Sequence, residues 1–175
     1  MNERFKTQFG FEISVRMGIN KGQAVVGNIG SEGKKIEYTA LGDTVNTASR
    51  FEGINKLYGT KICVGQSIYE SEGANFVFRK LDSILVKGKD LPVNIYELVG
   101  KQGEVSEETI RMIQHFESAL TLYRDRKFNE SKAIFEDLIA QYNDAPSKTF
   151  LERTNNYLAN GCPDDWIGDY RATEK

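Results

Sequence analysis

The chain has 175 residues, 39% hydrophobic and 27% charged, with 23 basic and 25 acidic side chains for a net charge of −2. That composition suits one good hydrophobic core with a small appendage, and it gives no ground for a nucleic-acid partner. No apolar run approaches the roughly 20 residues of a membrane span. The two cysteines, Cys63 and Cys162, form no CxxC pair, which excludes a disulfide scaffold. A cytoplasmic setting is therefore expected, with any membrane anchor of a parent protein lying upstream.

Phe11 to Ile19 alternates apolar and polar residues and predicts a half-buried strand. Asn20-Lys-Gly22 is a turn signal, and Gln23 to Ile29 reads as a second strand, so the two are expected to form a hairpin. Gly30 to Lys35 is a glycine-rich charged loop. Ile36 to Leu41 is again a strand. Asp43 stands where a helix N-cap belongs, and the helix is expected over Thr44–Tyr58 with Gly59 as its stop. A short strand at Lys61–Val64 and a short helix at Gln66–Glu72 follow. Two more strands, Phe76–Leu85 and Val93–Val99, flank a turn over Val86–Pro92. This interleaving predicts an α+β domain over residues 1–100.

Beyond Glu104 the pattern turns wholly helical. Ser106-Glu-Glu108 reads as a cap followed by acidic first-turn residues. Ile110, Ile113, Phe116, Leu120 and Tyr123 then recur at helical spacing. Further helices are expected over Phe128–Tyr142 and Ser147–Ala159. Tyr123, Phe128, Ser131 and Phe135 resemble the packing positions of one tetratricopeptide unit. One unit cannot bury its own face, so residues 101–175 are expected to dock on the domain or on a partner. The only Trp, Trp166, lies in the tail.

Several apparent motifs fail on inspection. Gly27 to Lys34 is not a phosphate loop, because Asn28 stands where its first Gly belongs and Lys35 follows Lys34 in place of Ser or Thr. His115 is the only histidine and has no company for a zinc site or a catalytic triad. Asp164-Asp165 reads as a solvated turn.

Asn46 and Arg50 are four residues apart and share one helix face. An amide beside a guanidinium near a helix start suits an anionic, oxygen-rich ligand such as a nucleotide. Asn is also a poor helix former, so its place in the first turn calls for a reason.

Arg16-Met-Gly-Ile-Asn-Lys-Gly22, Val26-Gly-Asn-Ile-Gly30, Tyr38-Thr-Ala-Leu-Gly-Asp-Thr-Val-Asn-Thr-Ala-Ser-Arg50, Val86-Lys-Gly88 and Pro92-Val-Asn-Ile-Tyr-Glu97 together resemble the class III nucleotidyl cyclase catalytic domain. Order and spacing agree over about residues 10–98. More weakly, the helical tail with Asp165-Trp166 resembles the extension of some bacterial cyclases. The resemblance implies a partial ferredoxin-like cyclase fold and the conversion of ATP to cyclic AMP and pyrophosphate. It implies that Asn46 orients the ribose and Arg50 stabilises charge on the α-phosphate. Lys87, with Lys89 nearby, would hold the terminal phosphates. Thr39 falls at the purine-selecting position, where a hydroxyl can donate or accept and so leaves GTP open as the alternative to ATP.

The family also uses Mg²⁺ or Mn²⁺ on two Asp residues of its first half, for which this sequence offers no counterpart. The resemblance therefore implies that a homodimer or an upstream half of the same protein completes the site. The isolated chain is expected to be inactive. The alternative is a catalytically incomplete module acting through protein interaction.

Overall fold

The computed structural model describes residues 2–30, 36–85 and 92–171. The described elements are α1 (Asn2–Phe9), β1 (Met17–Ile19), β2 (Val25–Ile29), β3 (Glu37–Leu41), α2 (Asp43–Tyr58), β4 (Ile62–Gly65), α3 (Gln66–Glu72), β5 (Phe76–Leu85), β6 (Val93–Lys101), α4 (Glu107–Arg124), α5 (Phe128–Tyr142), α6 (Ala145–Asn160) and β7 (Tyr170–Arg171). The fold is α+β with a helical extension. A five-stranded mixed sheet has the order β1-β4-β6-β5-β7, and β2 and β3 form a separate antiparallel pair. The sequence did not signal α1 or β7.

The N-terminal hairpin differs from expectation. Of Phe11–Ile19 only the last three residues form a strand, and β1 pairs in parallel with β4, not with β2. A strand needs a neighbouring strand for its backbone N–H and C=O groups, and residues 11–16 are not part of either sheet. Their alternating apolar side chains, Phe11, Ile13 and Val15, are exposed. The expected turn at Asn20-Lys-Gly22 instead folds over α2, where the Asn20 amide donates to the Thr44 carbonyl at 3.3 Å. The antiparallel partner of β2 is β3, with Val25 opposite Leu41 and Ile29 opposite Glu37.

Asp43 is not the cap of α2. Gly42 is the N-cap, at φ 148°, and no side chain caps the helix. That dihedral lies where only glycine is comfortable. The helix therefore starts one residue early and puts the Asp43 carboxylate in its first turn, where the helix dipole favours it. Gly59 ends α2 in the left-handed conformation, as expected, donating to the Asn55 carbonyl.

The sheet buries both faces. On one, Phe51 and Tyr58 of α2 meet Cys63, Leu81 and Ile95, and the same cluster continues through Phe116, Tyr123, Phe135 and Phe150 of the extension. On the other, α3 covers Val64, Phe78 and Tyr96. The extension thus docks on the domain. Ser106 caps α4 by accepting from the Thr109 N–H at 3.1 Å, and Asp144 caps α6 by accepting from the Ser147 N–H at 3.0 Å. Arg79 of β5 bonds both Glu97 (2.9 Å) and Asp144 (2.6 Å), tying the sheet to the start of α6. Burial alone would lower the Arg79 pKa, but the two carboxylates raise it.

Candidate nucleotide site

The site residues lie around the elbow between β3 and α2. Thr39 is on β3, opposite Gly27 of β2, and its side chain is exposed. One residue, Gly42, then turns the chain into α2. Asn46 and Arg50 follow on the first two turns of that helix, both exposed. Four residues advance a helix by about 6 Å, so an amide and a guanidinium stand one above the other. A hydroxyl, an amide and a cation are thereby carried on two rigid elements either side of one tight turn. Such an arrangement can meet a ligand with a polar ring at one end and an anion at the other.

The position of α2 is fixed from below by contacts that the sequence pattern did not reveal. A Cβ on Gly18 of β1 would lie 1.9 Å from the Ala48 carbonyl oxygen and 2.4 Å from the Glu52 nitrogen. The helix therefore rests on strand backbone, which only glycine allows. Asn55, fully buried, donates to the Met17 carbonyl at 2.9 Å and to the Phe51 carbonyl at 3.0 Å. Its Oδ1 accepts from the Thr60 hydroxyl at 2.8 Å. Arg16 Nε pairs with Glu52 at 3.0 Å on the rim. A mid-helix Asn was the one available sequence signal for this pin, since Asn there needs a partner.

Lys87 and Lys89 lie outside the described residues, as do the tip of the glycine-rich loop and most of the turn before β6. His115 is partly exposed and 3.9 Å from Asp137, far from α2 in the sequence and on a different element. Among the described residues, no three His, Cys, Asp or Glu side chains gather to hold a metal ion. No described helix is long and apolar enough to cross a membrane.

Residues 1–100 match the profile of the "Adenylate and Guanylate cyclase catalytic domain". The chain belongs to that cyclase family. An adenylate cyclase of Dictyostelium discoideum, described as terminal-differentiation specific, is 34% identical over 147 residues, covering 81% of this chain and 7% of its own length. Adenylate cyclase 1 of Rhizobium meliloti is 43% identical over 89 residues, covering 51% of this chain and 13% of its own. Guanylate cyclase beta of Plasmodium falciparum is 31% identical over 124 residues, covering 66% of this chain and 4% of its own. The cyclase chain thus spans a small part of each of these relatives. The match to the relative from Dictyostelium covers 81% of this chain and so extends beyond residues 1–100.

Proposed function

We propose that this chain contributes the Asn46–Arg50 half of an adenylate cyclase site, in a protein that converts ATP to cyclic AMP and pyrophosphate. The observation that carries this reading is the pairing of Asn46 and Arg50 on the exposed start of α2, directly after the glycine elbow from Thr39. Residues 1–100 form the cyclase portion and residues 101–175 its helical extension.

In this reading Asn46 holds the ribose and Thr39 faces the purine. The 3′-oxygen forms a bond to the α-phosphorus, the bond from that phosphorus to the oxygen bridging the β-phosphate breaks, and the electron pair leaves on pyrophosphate. The 3′ proton passes to water. Charge that builds on the α-phosphate is met by the Arg50 guanidinium, already held in place by the helix. Such preorganised donors often supply factors of about 10²–10³ in rate. Lys87 holds the terminal phosphates. No step is assigned to a metal ion; Mg²⁺ or Mn²⁺ would be held by carboxylates of another polypeptide segment and would supply charge neutralisation at the phosphates.

That further segment also has a surface to cover. Met17 and Ile19 of β1, Val25 and Val26 of β2, and Tyr38 and Leu41 of β3 are all exposed. The outer edge of β1 is unpaired in the described sheet. Edges of this kind are usually covered in a finished protein, and the cover here is a second copy or another part of the same protein. The match to a guanylate cyclase keeps GTP as the second reading. Cyclic nucleotide formation by the whole protein, measured with ATP and with GTP, tests both. Arg50→Ala is expected to lower turnover by about 100-fold or more; wild-type turnover would refute the role. The 175-residue chain alone is expected to make no cyclic AMP from Mg-ATP, and measurable product overturns that expectation.

A further inference from the structure

A cavity of about 300 Å³ opens between α3, the β5–β6 face and α4. It takes no part in the proposed cyclase chemistry. Its walls include Tyr69, Tyr96, Lys80, Glu117 and Arg124. Tyr69 stacks flat on Tyr96, with ring centroids 4.2 Å apart and planes at 3°. Both cations come from elements that cross here, Lys80 from β5 and Arg124 from the last turn of α4.

Arg124 is the unusual member. Its Nε and Nη2 are buried and donate no hydrogen bond. Asp82 is its counter-charge but stands 3.7 Å from Nη2, too far for a hydrogen bond. The Asp82 carboxylate is already engaged by Tyr58 and Arg153. Gly168 packs on the Arg124 stem, where an added Cβ would lie 3.1 Å from Cγ, so the tail backs the side chain on that side. Buried guanidinium donors without an acceptor are costly. Burial and the neighbouring Arg124 charge lower the Lys80 pKa, with Glu117 and Asp82 opposing them. The one carboxylate in the wall, Glu117, accepts from the Lys80 backbone N–H at 2.8 Å, closing the edge of β5.

We propose that this cavity is a binding site for a small organic anion, whose phosphate or carboxylate lies between Arg124 and Lys80 and whose flat or apolar body lies against Tyr69 and Tyr96. Arg124 and Lys80 each put a positive charge on the cavity wall, where an oxyanion is favoured. The tyrosine pair supplies a flat wall. The volume is at the small end for ligand sites, which limits the occupant to a compact molecule. The site lies where the cyclase portion meets the helical extension, since α3, β5 and β6 form one wall and α4 the other.

The test uses the purified 175-residue chain and isothermal titration with phenyl phosphate, benzoate and inorganic phosphate. Saturable binding of phenyl phosphate or benzoate tighter than about 1 mM is expected. Whichever binds more tightly identifies the head group. Lys80→Met is expected to weaken binding about tenfold or more, through loss of one charge-assisted contact. Arg124→Gln should weaken it further. Thr121→Met, on the exposed cavity wall, blocks the space and leaves both charges in place, so it should abolish binding in a chain with an unchanged circular dichroism spectrum. No saturable binding of either aromatic anion overturns the site. So does binding that Lys80→Met and Thr121→Met leave unchanged. Inorganic phosphate binding as tightly as phenyl phosphate overturns the role given to the tyrosine wall.

Discussion

Arg153 of α6 donates from Nη1 to Oδ2 of Asp82 on β5 at 2.7 Å, joining the last long helix to the sheet. Asp82 is 1% exposed. The second guanidinium arm, Nη2, donates to the Tyr58 hydroxyl at 3.0 Å, and Tyr58 donates to the same Asp82 carboxylate at 2.5 Å. Tyr58 is the last residue of α2, so three elements meet at one buried charge pair. Arg153 also lies 3.8 Å from the Tyr170 ring centroid, a cation–π contact that roofs the pair.

Removing one partner of a buried pair leaves the other uncompensated. Arg153→Met should therefore destabilise the chain by about 3–5 kcal/mol in urea unfolding. Combining it with Asp82→Asn should cost clearly less than the two single losses added together, because the charge left behind is gone. A single-variant loss below about 1 kcal/mol would show that the pair contributes little beyond packing.

Asn55 makes a second prediction. Its amide closes three bonds to helix and strand carbonyls and its oxygen a fourth to Thr60. Asn55→Ala strands the Met17 carbonyl and the Thr60 hydroxyl beneath α2, and should cost about 1–3 kcal/mol. Hydrogen exchange should report faster opening at β1 and α2 than in the extension. Equal acceleration everywhere would mean that Asn55 stabilises the fold without holding α2 in particular.

Gly18 and Gly27 form a matched pair of tests. A methyl on Gly18 would meet the α2 backbone at 1.9 Å, whereas one on Gly27 meets nothing within 4 Å. Gly18→Ala must push α2 away from β1, with a loss of at least about 1–3 kcal/mol. Gly27→Ala should change stability by no more than about 0.5 kcal/mol. In the whole protein Gly18→Ala should also lower turnover through displacement of Asn46 and Arg50. Similar behaviour of the two variants would count against the close packing of helix on strand.

The two thiols should differ in reactivity and in pH response. Cys63 is fully buried, and that burial, aided by the Glu97 charge, pushes its thiol up to about 12 from an ordinary 9.0. Folded Cys63 holds its proton over a range where the unfolded chain has lost it. Its contribution is therefore intact below about pH 9 and lost as pH rises toward 12, by up to about 1.4 kcal/mol per pH unit. Cys63→Ala should flatten that slope between pH 9 and 10, before the buried tyrosines enter. A thiol reagent at pH 8 should label half-buried Cys162 in the native chain and reach Cys63 only after unfolding.

How far the sequence could be read depended on whether the deciding contact was local. The bounds of α3 and α5 and of β5 follow from nearby caps, glycines and periodicity, and all three agree with expectation. The alternation of Phe11 to Ile19 is real in the residues, but strand formation needs a neighbour, and pattern alone cannot say which. Asp43 failed as a cap because the Gly42 dihedral, set by the elbow, outweighed the usual preference for a carboxylate there. Thr39, Asn46 and Arg50 stood out because they are close in sequence and fall in a family motif. Gly18 and Asn55 did not, because each acts on a segment more than 25 residues away, and such pairings follow only from the topology.

The aromatic cluster running from Phe51 and Tyr58 through Phe116 and Phe150 bears on how such a protein could be re-engineered. Cutting after Lys101 would take Phe116 and Phe150 out of this cluster, leave Tyr58 without its Phe150 neighbour and deprive the Asp82 charge of Arg153. The helical extension is therefore no detachable accessory. Anyone transplanting α2 into a chimera would have to carry α4 to α6 along with it as one piece.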